Sequence, residues 1–341
     1  MDGTTMKSNS TKTVKIGMAG CGLIGKHHYV PAIRNSKNAE LLGIAASAEK
    51  KAAEFAKEMN IPNAYPDFDE MLKDPLIEAV IVGTPNYLHY QQVIDAANAG
   101  KHVLCEKPMA MNLTQSLEMV KACEEHNVTL MVAHHLRFKK CTQEVRNILA
   151  KGELGRISTC RAQWSFNGPR DTMNKNWHDR KDLSGGGQAM NVNSHCVDLL
   201  VYLFGPPNKV SAMMAQDASC EIEHTSVITI EFKSGVIGIA HGSNHEDGSE
   251  NNLEIFGSAG GLIVQGACST DNHAIMKRTT SHEIIDLNSD ETPYMKEIEH
   301  FCSAIREEYE PISSGRRVLD TMRILMAAYE SAQNGKHERV E

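Results

Sequence analysis

No stretch of this chain approaches the roughly 20 consecutive apolar residues that a membrane-spanning helix needs, so no bilayer location is expected. Positive charge is also short. Lys and Arg total 35 against 43 Asp and Glu, a formal net charge of −8. That balance argues against nucleic acid and anionic membrane surfaces as partners. The nine cysteines form no CxxC pair and their number is odd. This leaves no disulfide framework and points to a reducing compartment, the cytoplasm. Most of them read as small buried hydrophobes. Internal repeats and low-complexity tracts are missing as well. Residues 1–12 are polar, hold no apolar core of a secretory signal, and read as a disordered lead-in.

What remains is an ordinary globular composition, 341 residues with 41% hydrophobic and 23% charged side chains, long enough for two domains. The first half alternates strand and helix signals: strands at 13–19, 41–47, 77–85, 102–108 and 128–134, and helices at 24–35, 48–60, 89–100 and 113–127. Such βαβ alternation implies a doubly wound parallel sheet with helices on both faces. After a helix at 141–151 and a strand at 157–166 comes a polar loop, 167–187, then an apolar helix expected over 188–204. From 208 to 287 short β segments follow one another between Gly, Asn, Asp and Ser turns, and two amphipathic helices close the chain near 292–308 and 316–334. The expected fold is α/β: a Rossmann domain over 13–134, then an α+β domain over 135–341 with a large, mainly antiparallel open sheet.

Gly20-Cys21-Gly22-Leu23-Ile24-Gly25 is a G-x-G-x-x-G placed after the first strand and at the opening of the first helix. The first glycine permits the tight turn, the second lets a pyrophosphate approach the backbone, and the third lets helix pack on strand. The helix amino end supplies N–H donors and partial positive charge. The second strand ends in Ala45-Ala46-Ser47, without the carboxylate that would hold an adenosine ribose and repel a 2′-phosphate. With Lys50 and Lys51 one turn on, the choice between NADP and NAD tilts to NADP. His241 and His245 lack a ligand framework of suitable spacing, so no metal is expected.

Further motifs follow in order: Thr84-Pro85-Asn86 with His89; Glu106-Lys107-Pro108; and Gly185-Gly186-Gly187 followed by His195 and Asp198. Together with the Gly20–Gly25 loop and the closing helices, they make the chain from about 13 to 335 resemble the Gfo/Idh/MocA oxidoreductases, the glucose-fructose oxidoreductase and inositol dehydrogenase family. The resemblance implies a Rossmann domain, a C-terminal domain whose open sheet packs on another subunit, and a nicotinamide site flanked by Thr84, Pro85, Asn86, His89 and Glu106. It implies Lys107 and His195 as the groups that handle a hydroxyl proton. The family usually has Asp where this chain has Asn191, so His195 is expected to be a weaker base, positioned by an amide. Asp198 is expected to be structural.

Lys107 ends a parallel strand, at the edge where doubly wound folds bind ligands, and an ammonium there can stabilise an alcohol oxygen. Trp177 offers a face for a sugar ring. Arg170, Lys175, His178, Arg180 and Lys181 in the same loop would suit an acidic sugar or a phosphate. His134, His135 and Arg137 follow the last Rossmann strand and could face the substrate, with His135 placed in the substrate set beside Trp177, Asn191, His195 and Lys107. The leading reading is an NAD(P)-dependent dehydrogenase of a sugar, polyol or cyclitol, working as a homodimer or homotetramer. Two others stay open: an enzyme that keeps its nucleotide and uses transient oxidation for glycoside cleavage or epimerisation, and a nucleotide-binding regulator with a decayed site.

Overall fold

The computed structural model describes residues 13–168 and 177–340. Residues 1–12, with the expected lead-in, and Arg170 and Lys175 lie outside the described residues. Among those described, the first sheet has six parallel strands in the order β3-β2-β1-β4-β5-β6: β1 Val14–Ala19, β2 Ala39–Ala45, β3 Asn63–Tyr65, β4 Ala79–Val82, β5 His102–Cys105 and β6 Leu130–Val132. The centre of this sheet is apolar on both faces, and β4 (Ala-Val-Ile-Val) is wholly buried, as a parallel strand covered by helices on both sides must be. The order reverses between β1 and β4, which opens a crevice at their carboxyl ends.

Connecting helices are α1 Val30–Asn35, reached through a wider turn at Gly25–Tyr29, α2 Glu49–Glu58, α3 Phe68–Lys73, α4 Asn86–Asn98 and α5 Leu113–Glu125. The short β3 and α3 were not expected from the pattern. Asp67 starts α3 by accepting a hydrogen bond from the Glu70 backbone N–H at 2.8 Å, the N-cap device that supplies a partner to an orphan helix donor.

Beyond α6 (Lys140–Ala150) the chain forms a nine-stranded sheet in the order β14-β13-β12-β11-β7-β10-β9-β8-β15. Its strands are β7 Ile157–Ser165, β8 Pro207–Ala215, β9 Thr225–Phe232, β10 Ile237–Ser243, β11 Leu253–Gly257, β12 Gly260–Gln265, β13 Ile275–Arg278, β14 Ile284–Asp286 and β15 Glu338–Arg339. Neighbours run antiparallel except β7 and β10, which pair in parallel. The sheet is therefore large and mainly antiparallel, as expected. Among the described residues, two α-helices lie between β7 and β8: α7 Lys181–Ser184 and α8 Asn193–Phe204. The expected helix from 188 begins only at Asn193; residues 188–192 are turns.

The last two helices tie the halves together. α9 (Pro293–Glu307) returns to the first sheet, and its Ile298, Phe301 and Cys302 share a core with Ile16, Ile44, Ile81 and Leu104. Just before α10 (Gly315–Asn334), the Val132 N–H donates to the Ser313 carbonyl at 2.8 Å. No helix among the described residues is long and apolar enough to cross a membrane.

Candidate active site

The carboxyl ends of β1, β2 and β4 open onto a cleft of about 910 Å³ that runs from Ala46 and Ser47 to Lys107 and Asn191. Its first wall is the Gly20–Ile24 loop. Gly20 adopts φ +102°, and a methyl there would drive into the Gly83 carbonyl oxygen, so the turn between β1 and the helix is closed to other residues. Gly22 is the opposite case: nothing lies within 4 Å of where its Cβ would be. That open space beside a helix amino end is a cradle into which a pyrophosphate fits. Gly25 is buried and packs against Met18 rather than facing the cleft.

The floor is the Glu106-Lys107-Pro108 turn, with a cis Lys107–Pro108 peptide bond. Lys107 donates from Nζ to Asn191 Oδ1 at 3.1 Å and to the Asn191 carbonyl at 3.3 Å. Burial lowers its pKa, opposed by the Glu106 carboxylate. Glu106 accepts from the Tyr29 hydroxyl at 2.6 Å and from the Lys107 backbone N–H at 3.0 Å, while burial pushes its own pKa up.

The opposite wall is the Gly185–Asn191 turn. A methyl on Gly186 would overlap the Tyr329 hydroxyl, and one on Gly187 the Glu223 carbonyl. The glycine triplet is thus a close-approach surface. The Glu223 carboxylate accepts from the Gly187 N–H at 3.0 Å, the Ala189 N–H at 2.9 Å and the Tyr329 hydroxyl at 2.8 Å. Through 188–192 the backbone bonds are irregular, the Asn191 N–H reaching the Gly187 carbonyl and the Asn193 N–H the Gln188 carbonyl five residues back, so the regular ladder starts only at Asn193. Asn86 fastens the two walls, donating from Nδ2 to the Ser184 carbonyl at 2.8 Å.

A glycine turn at a helix amino end, a half-buried lysine and a glycine-braced wall together could serve hydride transfer, and comparison with known proteins gives the family. Residues 14–134 match the model "Oxidoreductase family, NAD-binding Rossmann fold" (GFO_IDH_MocA), and residues 142–263 match the GFO/IDH/MocA C-terminal domain. D-xylose 1-dehydrogenase (NADP(+)) 2 of Haloferax volcanii is 30% identical over 322 residues, 94% of this chain and 97% of the relative. The chain belongs to the GFO/IDH/MocA oxidoreductase family. Similar to it also is 1,5-anhydro-D-fructose reductase of Ensifer adhaerens, 27% identical over 95% of this chain and 98% of the relative. Among solved structures, aldose-aldose oxidoreductase from Caulobacter crescentus, complexed with glycerol, superposes with a TM-score of 0.88 at 24% identity, covering 96% of this chain and all of the other.

Within this GFO/IDH/MocA site, Gly20, Gly22, Leu23, Ile24, Ala46, Ser47, Thr84, Pro85 and Asn86 line the cleft, as do Glu106, Lys107, Trp177 and Asn191. Gly25 does not, and neither do His89, His135 and His195. His89 is wholly buried, with Nδ1 2.9 Å from the Pro108 carbonyl and Nε2 2.8 Å from that of Thr84. It braces two cleft turns from behind, and burial lowers its pKa. His135 is buried between Tyr294, stacked at 4.6 Å, and the rings of Trp164 and His195. His195 also stands behind the wall, only 5% exposed, with its ring stacked on Trp164 at 4.8 Å.

Asn191, expected to position His195 from the same helix, precedes that helix. Asn191 serves Lys107 instead. Asp198 holds Arg137 through two bonds of 2.8 and 2.6 Å and accepts from Thr321 at 3.1 Å. Burial works to raise the Asp198 pKa, but Arg137 and His134 hold it low. Arg137 is spent in that buried pair rather than facing substrate. His195 has its pKa pushed well below 6.5 by burial, then by the Lys107 charge.

In the loop over the cleft, Trp177 and His178 stack at 3.7 Å, and Arg180 is paired with Asp182 at 2.6 Å. Lys181 does not reach the cleft. The wall also includes residues 219–224, which no motif announced. His241 bonds Glu246 at 2.8 Å and His245 stacks on His224 at 4.1 Å. Among the described residues no group of three His, Cys, Asp or Glu is arranged to hold a metal ion.

Proposed function

We propose that this oxidoreductase interconverts a secondary alcohol and ketone of a neutral sugar, polyol or cyclitol, with Lys107 as the group that takes and returns the hydroxyl proton. The observation that carries the reading is the Lys107 ammonium, half-buried at the floor of the cleft beyond the Gly20–Gly25 loop and aimed by Asn191. A bound NAD(P) supplies the hydride acceptor and donor. The chain supplies the rest. Lys107 with its lowered pKa exchanges a proton at Nζ, Asn191 fixes that atom, and Trp177 with the 184–191 wall encloses the sugar and excludes water. The acidic-sugar alternative loses support because Arg180 already has a carboxylate partner. The relatives named for D-xylose and 1,5-anhydro-D-fructose support a sugar substrate. The test is nicotinamide absorbance with D-xylose, D-glucose, myo-inositol and 1,5-anhydro-D-fructose. Turnover of one of them with exchangeable nucleotide supports the dehydrogenase. A nucleotide that copurifies and never exchanges would favour transient oxidation, and binding without redox a regulator.

NADP is the preferred nucleotide in this reading. Ala46 and Ser47 at the adenosine end carry no charge, and Lys51 Nζ lies 3.3 Å from Ser47 Oγ, within reach of a 2′-phosphate. Ser47→Asp should weaken NADP binding about tenfold or more, the effect of a like charge worth about 1.4 kcal/mol, and leave NAD less affected. Tighter binding of NAD than NADP by the unaltered protein would overturn the preference.

The division at residue 134 and the homo-oligomer belong to the same proposal. Met213 and Val227 face each other across β8 and β9, Ile237 and Phe256 flank Thr159 of β7 on the same face of the second sheet, and all four are between 36% and 82% exposed. Large apolar side chains exposed together on one sheet face mark an interface. Sedimentation at micromolar concentration should show a dimer or tetramer, and Val227→Lys should shift it toward monomer. A monomeric wild-type protein would refute the assembly.

A further inference from the structure

Behind Lys107 lies a buried polar layer that proton exchange at the cleft does not by itself require. At its centre is Glu297, on α9. It is 0% exposed, and neither carboxyl oxygen has a hydrogen-bond partner among the described residues. Two imidazole nitrogens in the same layer are likewise buried and without a hydrogen bond, His195 Nδ1 and His135 Nε2, while His134 Nδ1 lies 3.5 Å from the Asp198 carboxylate. Glu297, His195 and His135 thus leave hydrogen-bonding capacity unmet in one buried layer, which calls for an explanation. Polar atoms of this kind are usual partners of buried water.

A run of ring contacts leads from behind the cleft wall to the surface. His195 lies 4.8 Å, ring to ring, from His135. His135 stacks on Tyr294 at 4.6 Å, one helical turn before Glu297 on the same helix. Tyr294 stacks in turn on His28 at 4.3 Å, and His28 is half-buried, facing outward. Titratable groups face Glu297 from every side. Tyr29 comes from the turn before α1, Glu106 from the end of β5, Asp198 from α8, and Tyr294 from its own helix. His134, His135 and Arg137 stand on the segment after β6.

We propose that Glu297, with His195 and His135 on the cleft side and His28 on the solvent side, is a proton-exit route that carries the hydroxyl proton of the substrate from Lys107 to bulk water. This rests on the alcohol-oxidising reading of the site. When the alcohol is oxidised, its C–H leaves as hydride to the nicotinamide and its O–H proton passes to the Lys107 amine. Lys107 then gives a proton to His195, which the lysine charge otherwise keeps neutral. The imidazolium passes it on through His135 to the Glu297 carbonyl oxygen, while the Glu297 hydroxyl releases its own proton toward His28 and solvent. The net result is one proton outside and every side chain restored. Glu297 can do this only when protonated, because a carboxyl group then donates and accepts at once, whereas a carboxylate only accepts. Burial, then the charges of Glu106 and Asp198, raise the Glu297 pKa well above the ordinary carboxyl value and keep that proton on.

Glu297→Gln keeps the shape and removes the transferable proton. With the sugar that turns over best in the panel above, kcat should fall by about 10²-fold, the lower range for a proton-transfer group. KM and nucleotide affinity should be unchanged, and the solvent deuterium isotope effect on kcat should rise. His28→Phe preserves the stack on Tyr294 and should show the same isotope signature. Wild-type kcat and isotope effect in both variants would overturn the route.

A second readout needs no substrate. The folded chain keeps the Glu297 proton at pH values where an unfolded glutamate, ordinarily titrating near 4.5, has lost it. The raised pKa therefore costs stability progressively as pH rises from that value toward the folded pKa. Glu297→Gln escapes the cost, so its Tm should exceed that of wild type by a gap that widens with pH over this window. A gap independent of pH would overturn the neutral acid on which the route depends. A wild-type protein that oxidises no sugar would instead count against the alcohol reading, leaving the Tm comparison to decide on Glu297.

Discussion

Lys107→Ala is expected to lower turnover by about 10²–10⁴, the usual worth of a positioned acid or base, while nucleotide affinity stays near that of wild type. The separation follows from where the parts lie. The nucleotide cradle is the Gly20–Ile24 loop at the ends of β1 and β2, and Lys107 sits past the end of β5. Removing the side chain leaves Asn191 Oδ1 without its donor and leaves Glu106 as a buried carboxylate with less opposing charge. Glu106 keeps the Tyr29 hydroxyl and a backbone N–H, so the fold should survive. Nucleotide titration by fluorescence and steady-state rates on the same preparation check both halves. Near-normal turnover in the variant would end the catalytic assignment.

Asn191→Asp is expected to act on Lys107 and not on His195. The sequence suggested the opposite, an amide beside the imidazole whose replacement would raise the histidine pKa and favour activity at neutral pH. The structure puts Asn191 Oδ1 3.1 Å from the Lys107 ammonium. A carboxylate there forms a buried ion pair, and such a partner raises a neighbouring lysine pKa by about 1–3 units. For alcohol oxidation the amine must be neutral to accept the proton. The acid limb of the pH–rate profile should therefore move up by that amount, with the rate at neutral pH falling about tenfold for each unit. In the ketone-reducing direction, where the ammonium is the donor, the active range should extend to higher pH. Rates in both directions across pH 6–10 check it. A profile that does not move would mean that Asn191 does not set the Lys107 charge.

What could be read from the sequence was local chemistry. The Gly20–Gly25 loop, the Thr84–Asn86 turn and Lys107 each sit at a strand end, where backbone geometry alone delivers them to the crevice. The strand alternation announced both sheets for the same reason. What escaped was held by partners far apart in the chain. Glu223 reaches the glycine turn across 36 residues, and Tyr329 reaches Glu223 across 106. No spacing rule connects them. The run through 188–192 looked helical because periodicity registers side chains, whereas the backbone there follows the glycine turn anchored on Glu223. His89 was placed in the cleft because its motif neighbours line it, and His135 because it follows the last Rossmann strand. Their rings face inward instead, where two carbonyls and Tyr294 wait. The β3–α3 excursion was too short for periodicity, three and six residues, though Asp67 followed by Glu70 three positions later carried a legible cap.

The hydroxyl of Tyr329 gives α10 a consequence in time as well as in space. A ribosome releases the Rossmann strands first, and the N-terminal elements of a chain begin to fold while the rest is still being made. The glycine turn, Glu223 and the whole cleft floor have left the ribosome before α10 does. Until residues 315–334 dock, Glu223 lacks its tyrosine donor and β6 lacks the Ser313 carbonyl. The wall that aims Lys107 is thus completed last, by a helix that contributes nothing to the lining of the cleft. A nascent chain can hold a nucleotide cradle well before it can hold a catalytic geometry.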